Sequence, residues 1–138
     1  MTSDRLSYEY VVLRCVPRVD REEFVNVGVV LFCHATGFLQ SAWRVDAARL
    51  GAVDALVDPA QLRQALTYVD AVCDALRYVD GVCAGDERGG AAAAQPIGNR
   101  FGFLKAPRST VLQPGPVHGG LTGDPARQLE HLRERLVG

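Results

Sequence analysis

Phe24-Val25-Asn26-Val27-Gly28-Val29-Val30-Leu31-Phe32-Cys33 is the stretch that decides the fold class. Its odd positions, Val25, Val27, Val29, Leu31 and Cys33, form a wholly apolar set, and its even positions are mixed. Period-two patterning with β-branched enrichment specifies a strand. Upstream, Tyr8 to Val16 has the same aromatic and β-branched character. Downstream, His34-Ala35-Thr36-Gly37 reads as a hairpin turn. Phe38 to Val45 then alternates, with Leu39, Trp43 and Val45 on one face and Gln40 and Arg44 on the other. Three antiparallel strands in succession are the simplest arrangement.

Helices follow. Asp46 to Leu56 is short and Ala-rich and has room for a turn or two. Asp58-Pro59 is a capping residue followed by a proline at the first helical position, with Gln61 completing a box-like cap. Leu62, Leu66, Val69, Val72, Cys73, Leu76 and Val79 recur at helical spacing, so a long helix is expected with Gly81 as its stop. Residues 84–96 are Gly- and Ala-rich and read as a flexible insertion. Arg108 to Gln113 reads as a fourth strand, ended by Pro114-Gly115-Pro116. Asp124-Pro125 repeats the cap-plus-proline start, and Leu129, Leu132 and Leu136 stripe a last helix. The pattern predicts an α+β fold: a mainly antiparallel sheet of about four strands packed with two main helices, in a single domain over residues 1–138.

Composition narrows the function classes. The chain of 138 residues is one domain's length and large enough to bury a core without a disulfide or metal. A formal charge of -1 provides no general attraction to nucleic acid or anionic membrane, and no basic stripe is present. Nucleic acid is therefore a disfavoured partner. Fourteen arginines against one lysine, with abundant Ala, Gly and Val, reflect a GC-rich coding bias, which weakens the arginine count as a sign of anion binding. Cys15, Cys33, Cys73 and Cys83 lack the C-x-x-C or Cys/His spacing of a zinc site and read as reduced, mostly buried thiols. No metal or cofactor is expected. The first ten residues hold no signal-peptide core, and no apolar run approaches the ~20 residues of a membrane span, so a cytoplasmic protein is expected.

Candidate site residues form three groups. In the first, Asn26 lies beside Gly28, and a strand glycine marks a bulge or a close approach by a backbone or ligand. Glu22 and Glu23 precede it as acid, base or cation-binding groups, although Asp20-x-x-Glu23 also fits a capping box. Arg14, a charge in an apolar strand, needs a partner; Glu22 or Glu23 is positioned to supply one as the chain returns. In the second group, Asn99-Arg100-Phe101 and Arg108-Ser109-Thr110 with Gln113 combine arginine forks with hydroxyls, a set suited to phosphate or carboxylate. The competing role is local pairing. Third, His118 in a Gly/Pro loop suits proton transfer. No serine or cysteine stands in a nucleophile motif.

Tyr8-Glu9-Tyr10-Val11-Val12-Leu13-Arg14, Val16-Pro17 and the Arg21 to Phe32 string resemble a bacterial family known as domain of unknown function 3037. So do Asn99-Arg100-Phe101, Pro107 to Gln113, Pro116-Val117-His118 and the Asp124-Pro125 helix start. The resemblance carries no established activity. It implies a context: many members are encoded beside HipA-like kinases in actinobacteria, which points to a binding or regulatory partner of such a kinase or of another protein. The alternative is a small enzyme or sensor that holds an anionic ligand through Arg100 and Arg108, with His118 and Glu23 moving protons.

Overall fold

The computed structural model describes residues 5–74, 77–79, 82–84, 95–108 and 110–138, without the side chains of residues 77–79 and 82–84. Strand β1 (Leu6–Cys15) leads through a 3-10 turn (Val19–Arg21) into β2 (Val25–Cys33). A second 3-10 turn (His34–Thr36), closed by Gly37 at φ 65, leads to β3 (Phe38–Trp43). Helices α1 (Ala47–Val53) and α2 (Pro59–Cys73) follow, then the short hairpin β4 (Arg77–Val79) and β5 (Val82–Ala84). Helix α3 (Ile97–Lys105), strands β6 (Leu112–Pro114) and β7 (His118–Thr122), and helix α4 (Pro125–Leu136) complete the fold. The main sheet is antiparallel in the order β3-β2-β1, with β6 and β7 both pairing β1. The fold class is α+β, as the strand and helix patterns predict.

Helices cover both faces of the sheet. Val11, Leu13, Cys15, Val25, Val27, Val30 and Leu39 pack with Leu50 of α1, Leu62, Leu66, Val69 and Val72 of α2, and Phe101 and Leu104 of α3. On the opposite face Tyr8, Val29, Leu31 and Cys33 pack with Leu129, Leu132 and Val137 at α4. Two buried faces explain why Val29, Val30 and Leu31 are all fully enclosed.

The odd positions of β2 therefore do not share one face. Leu13 pairs Gly28 and Arg14 pairs Asn26, so Val27 is an extra residue in β2. This bulge reverses the phase: Val25 and Val27 face α2, whereas Val29, Leu31 and Cys33 face α4. Glycine is needed at the reversal. A Cβ at Gly28 would lie 2.8 Å from the Trp43 Cβ and 3.2 Å from the Ala42 carbonyl oxygen.

Other boundaries differ from the sequence pattern for identifiable reasons. Helix α2 stops at Cys73, where Arg100 satisfies its last carbonyls, and Arg77–Val79 is strand. Gly81, the expected stop, lies outside the described residues, as do residues 85–94 of the expected insertion. The strand expected over Arg108 to Gln113 is confined to Leu112–Pro114. His118 lies in a strand, not a loop. Residues 97–105, where two glycines and an asparagine disfavour helix, are helical because Phe101 and Leu104 bury at i, i+3 spacing. The Asp-Pro caps follow expectation, Asp58 accepting from the N–H of Ala60 and Asp124 from that of Arg127, but among the described residues Gln61 makes no return bond to complete the box; Asp46, not singled out in the sequence, caps α1 by accepting from Ala48 and Arg49.

Replacing Gly28 with alanine is expected to lower the unfolding free energy by about 1–3 kcal/mol, the cost of overpacking. Urea denaturation followed by circular dichroism checks this; an unchanged midpoint would mean that the Trp43 backbone yields freely.

Candidate functional site

Arg14 stands on β1 opposite Asn26 of β2 and Gln113 of β6. Alternation places it on the sheet face away from Leu13. Its guanidinium lies over the Phe24 ring at 4.2 Å from the centroid. Gly115 backs it, so closely that a Cβ there would sit 3.1 Å from both Cζ and Nε. Nε is enclosed and has no hydrogen-bond acceptor. An enclosed N–H without an acceptor costs on the order of 1–3 kcal/mol, more in a charged group. A cavity of about 280 Å³ opens here, lined by Arg14, Val16, Val19, Glu22, Phe24 and Gln113.

The loop entering this cavity differs from the capping box that Asp20-x-x-Glu23 suggests. No side chain caps the 3-10 turn, and Glu22 closes it in the left-handed region at φ 55. A non-glycine residue there stores backbone strain, a feature that clusters at functional positions. Glu23 pairs with Arg21 at 2.7 Å, and Asp20 with Arg18 at 3.2 Å, all four well exposed. The expected ion pair between Arg14 and Glu22 or Glu23 is not formed; among the described residues the Arg14 guanidinium has no ion pair or hydrogen bond, and its contact is the Phe24 ring.

Asn26 shares the face of Arg14 but works as a tie, its Nδ2 donating to the carbonyl of Leu136 at 3.2 Å. Arg100 caps α2, donating to the carbonyls of Val72 at 2.9 Å and Cys73 at 2.8 Å and, through Nε, to Gln95 at 3.1 Å. Arg108 folds back on α3, its guanidinium 4.5 Å over the Phe103 ring and donating to the Phe103 carbonyl at 2.5 Å. Gln113 Nε2 donates to the Thr110 carbonyl at 2.9 Å. His118 is exposed on β7 with its ring 5.3 Å from that of Tyr10. Ser109 lies outside the described residues.

The sequence candidates thus divide. Arg14, Glu22 and Gln113 share one cavity. Arg108 lines a different one with Leu13, Val69 and Leu104, on the α2 face, whereas His118 packs on Tyr10, which belongs to the α4 face. The expected constellation of Arg100, Arg108, His118 and Glu23 around one anion is therefore not assembled.

A larger concavity among the described residues has no counterpart among the sequence candidates. It measures about 750 Å³ and lies between α2 and the 110–112 segment, walled by Leu56, Val57, Leu62, Ala65, Val111 and Leu112. It adjoins the Arg108 cavity, with which it shares Ala65, Thr110 and Leu112 as walls. Leu56 is 92% exposed and Val111 48%. Alternation misses such a groove because its walls come from three separate stretches, Leu56-Val57, α2 and residues 110–112, and a pattern read along one segment does not show which segments meet.

A second cluster without a sequence signal joins α2 to β3: Asp70 accepts from Ser41 Oγ and from the Trp43 indole N–H at 3.0 Å. Close by, burial, followed by the Asp70 charge, pushes the Cys73 thiol up to about 12. A thiol held protonated is a poor nucleophile. Cys15, Cys33 and Cys73 are free and buried. Among the described residues no group of three His, Cys, Asp or Glu residues could hold a metal ion, and no helix is long and apolar enough to cross a membrane.

A family model described as a protein of unknown function (DUF3037) matches residues 10–137. The protein belongs to the DUF3037 family. The match takes in both the Arg14 cavity and the α2 groove. No curated protein and no solved structure matches the sequence.

Two outcomes separate structural from ligand-binding roles here. Arg100→Ala is expected to cost about 1.5–3 kcal/mol of stability in thermal or urea melts, through its charged hydrogen bonds to α2, and Arg100→Lys is expected to restore only part of this. Cys73 makes stability fall as pH rises from 9.0 toward about 12, because the unfolded thiol loses its proton while the buried one keeps it. Urea midpoints measured across that window are expected to decline less steeply in Cys73→Ala than in the unmodified protein; equal slopes would remove Cys73 as the cause.

Proposed function

We propose that this domain is a non-catalytic binding module that docks an amphipathic helix of a partner protein into the groove along α2. The observation that carries the reading is the groove itself. Aliphatic walls from Leu56, Val57, Leu62, Ala65, Val111 and Leu112 continue past Thr110 to Tyr68, Phe103 and Leu104. Exposed apolar patches joined into one concavity mark binding surfaces, whereas scattered exposed residues do not.

The shape suits a helix. The fifteen residues of α2 are about 22 Å long at 1.5 Å per residue, enough to present aliphatic side chains at i, i+3, i+4 and i+7 of a partner laid alongside. Asp54 and Asp58 stand at one end of the groove, where each carboxylate also accepts a backbone N–H. A basic residue at the matching end of the partner helix complements them. The scatter of Arg100, Arg108, His118 and Glu23 gives no comparable support to the reading as an enzyme or sensor.

The family context makes a HipA-like kinase the first partner to test. Co-expression of the two proteins is expected to give one complex on size exclusion. Leu56→Asp should weaken it at least about tenfold by calorimetry while leaving the melting midpoint of the free domain within the small range of surface substitutions. Separate elution together with unchanged kinase activity would overturn this choice of partner, and retention of binding by Leu56→Asp would overturn the groove.

A further inference from the structure

We propose that the cavity at Arg14 is a carboxylate-binding site whose ligand carries its carboxylate on a short aliphatic body. The site is independent of the α2 groove, on the other face of the sheet.

Four observations carry the proposal. The Arg14 guanidinium is fixed in place between the Phe24 ring at 4.2 Å and the Gly115 backbone, which is itself anchored by the Gly115 N–H donating to the Val12 carbonyl at 2.8 Å. A fork held in this way loses little freedom on binding and matches a carboxylate in plane through its two terminal nitrogens. Those terminal nitrogens have no acceptor among the described residues, although the side chain lines a cavity. Stacking on an aromatic face shields the guanidinium's flat side and leaves its edge as the donor surface.

The remaining walls specify what the carboxylate is attached to. Val16, Val19 and Phe24 are apolar, and Val19 and Phe24 are exposed at the mouth, a surface for an aliphatic group. Glu22 lines the same cavity, held there by a backbone turn in the left-handed region. One guanidinium facing one carboxylate leaves almost no net local charge. A monoanion with an apolar body fits that environment, and a phosphate dianion is disfavoured by Glu22. Gln113 spends its Nε2 on the Thr110 carbonyl, which leaves Oε1 as an acceptor on the wall. The amide N–H on the residue that carries the carboxylate can donate to it, so the C-terminal residue of a peptide fits better than a free fatty acid.

The test uses the whole protein and NMR of the arginine Nε–H signals, with the Arg14 signal assigned by its loss in Arg14→Lys. N-acetylvaline, its methylamide, isovalerate and inorganic phosphate are titrated in turn. N-acetylvaline is expected to move the Arg14 signal saturably, with an affinity on the order of millimolar. The methylamide, which lacks the carboxylate, is expected to leave it unmoved. Tighter binding of N-acetylvaline than of isovalerate supports a peptide C-terminus as the source, and equal binding supports a free acid. Arg14→Lys keeps the charge without the fork and, read in both proteins from the backbone amide signals of Val16 and Gln113 on the cavity wall, is expected to bind at least about tenfold more weakly. Glu22→Gln, at an exposed position that leaves the core untouched, is expected to admit phosphate that the unmodified site rejects. No saturable shift with either carboxylate, binding by Arg14→Lys equal to the unmodified protein, or phosphate binding as tight as N-acetylvaline in the unmodified protein would overturn the proposal.

Discussion

The bulge at Val27 and Gly28 is the constraint on which the rest of the molecule depends. Both residues oppose the neighbourhood of Leu13, and the lack of a side chain at Gly28 keeps the bulge clear of Trp43 and Ala42 on β3. One extra residue in a strand exchanges its faces from that point on. Below the bulge, Val25 and Val27 serve the α2 face and Asn26 reaches the end of α4; above it, Val29, Leu31 and Cys33 serve the α4 face. Without the bulge, the apolar set Val25 to Cys33 would lie on a single face, and α4 would meet the even positions instead, among them Gly28.

Polar ties fix what the two-sided burial leaves free. Apolar packing holds helices against a sheet but is non-directional; it sets neither where a helix ends nor how far it slides. Asp70 settles the position of α2 along β3 through Ser41 and the Trp43 indole. Arg100 settles its end by taking the carbonyls of Val72 and Cys73, and the same guanidinium binds the start of α3 through Gln95. Arg49 and Asn26 do the equivalent for α4, at the carbonyls of Val137 and Leu136. Each tie between elements spans a long sequence separation, so none is visible as a local motif.

This division accounts for what can be read from the sequence. Strands β1 to β3 and the starts of α2 and α4 are written locally, in alternation and in Asp-Pro caps, and Gly28 signals its bulge or close approach. The end of α2 is not written locally: Leu76 and Val79 continue its apolar period, whereas the carbonyls of Val72 and Cys73 are taken by Arg100, far along the sequence. Helix α3 has weak intrinsic preference and exists because Phe101 and Leu104 find a core. Strand β7 looks like a loop because of Gly119 and Gly120; the Tyr8 ring lies so close over Gly120 that a Cβ there would come within 2.6 Å of its hydroxyl.

The arginines make the same point about the site. In sequence, Arg100 and Arg108, near one another and beside hydroxyls, are the candidates for an anion, and Arg14 reads as one half of an ion pair with Glu22 or Glu23. Their surroundings reverse that order. Arg100 is spent on helix carbonyls and Arg108 on the Phe103 ring and carbonyl, whereas Arg14 is stacked and backed yet offered no acceptor. An arginine's function follows from which of its donors the fold leaves over, and that remainder is fixed only when distant segments, here Phe24 and Gly115, close around it. In this protein the phase reversal at Gly28 arranges that closure, since it sets Asn26 rather than Val27 opposite Arg14 and so directs the neighbouring Phe24 onto the guanidinium.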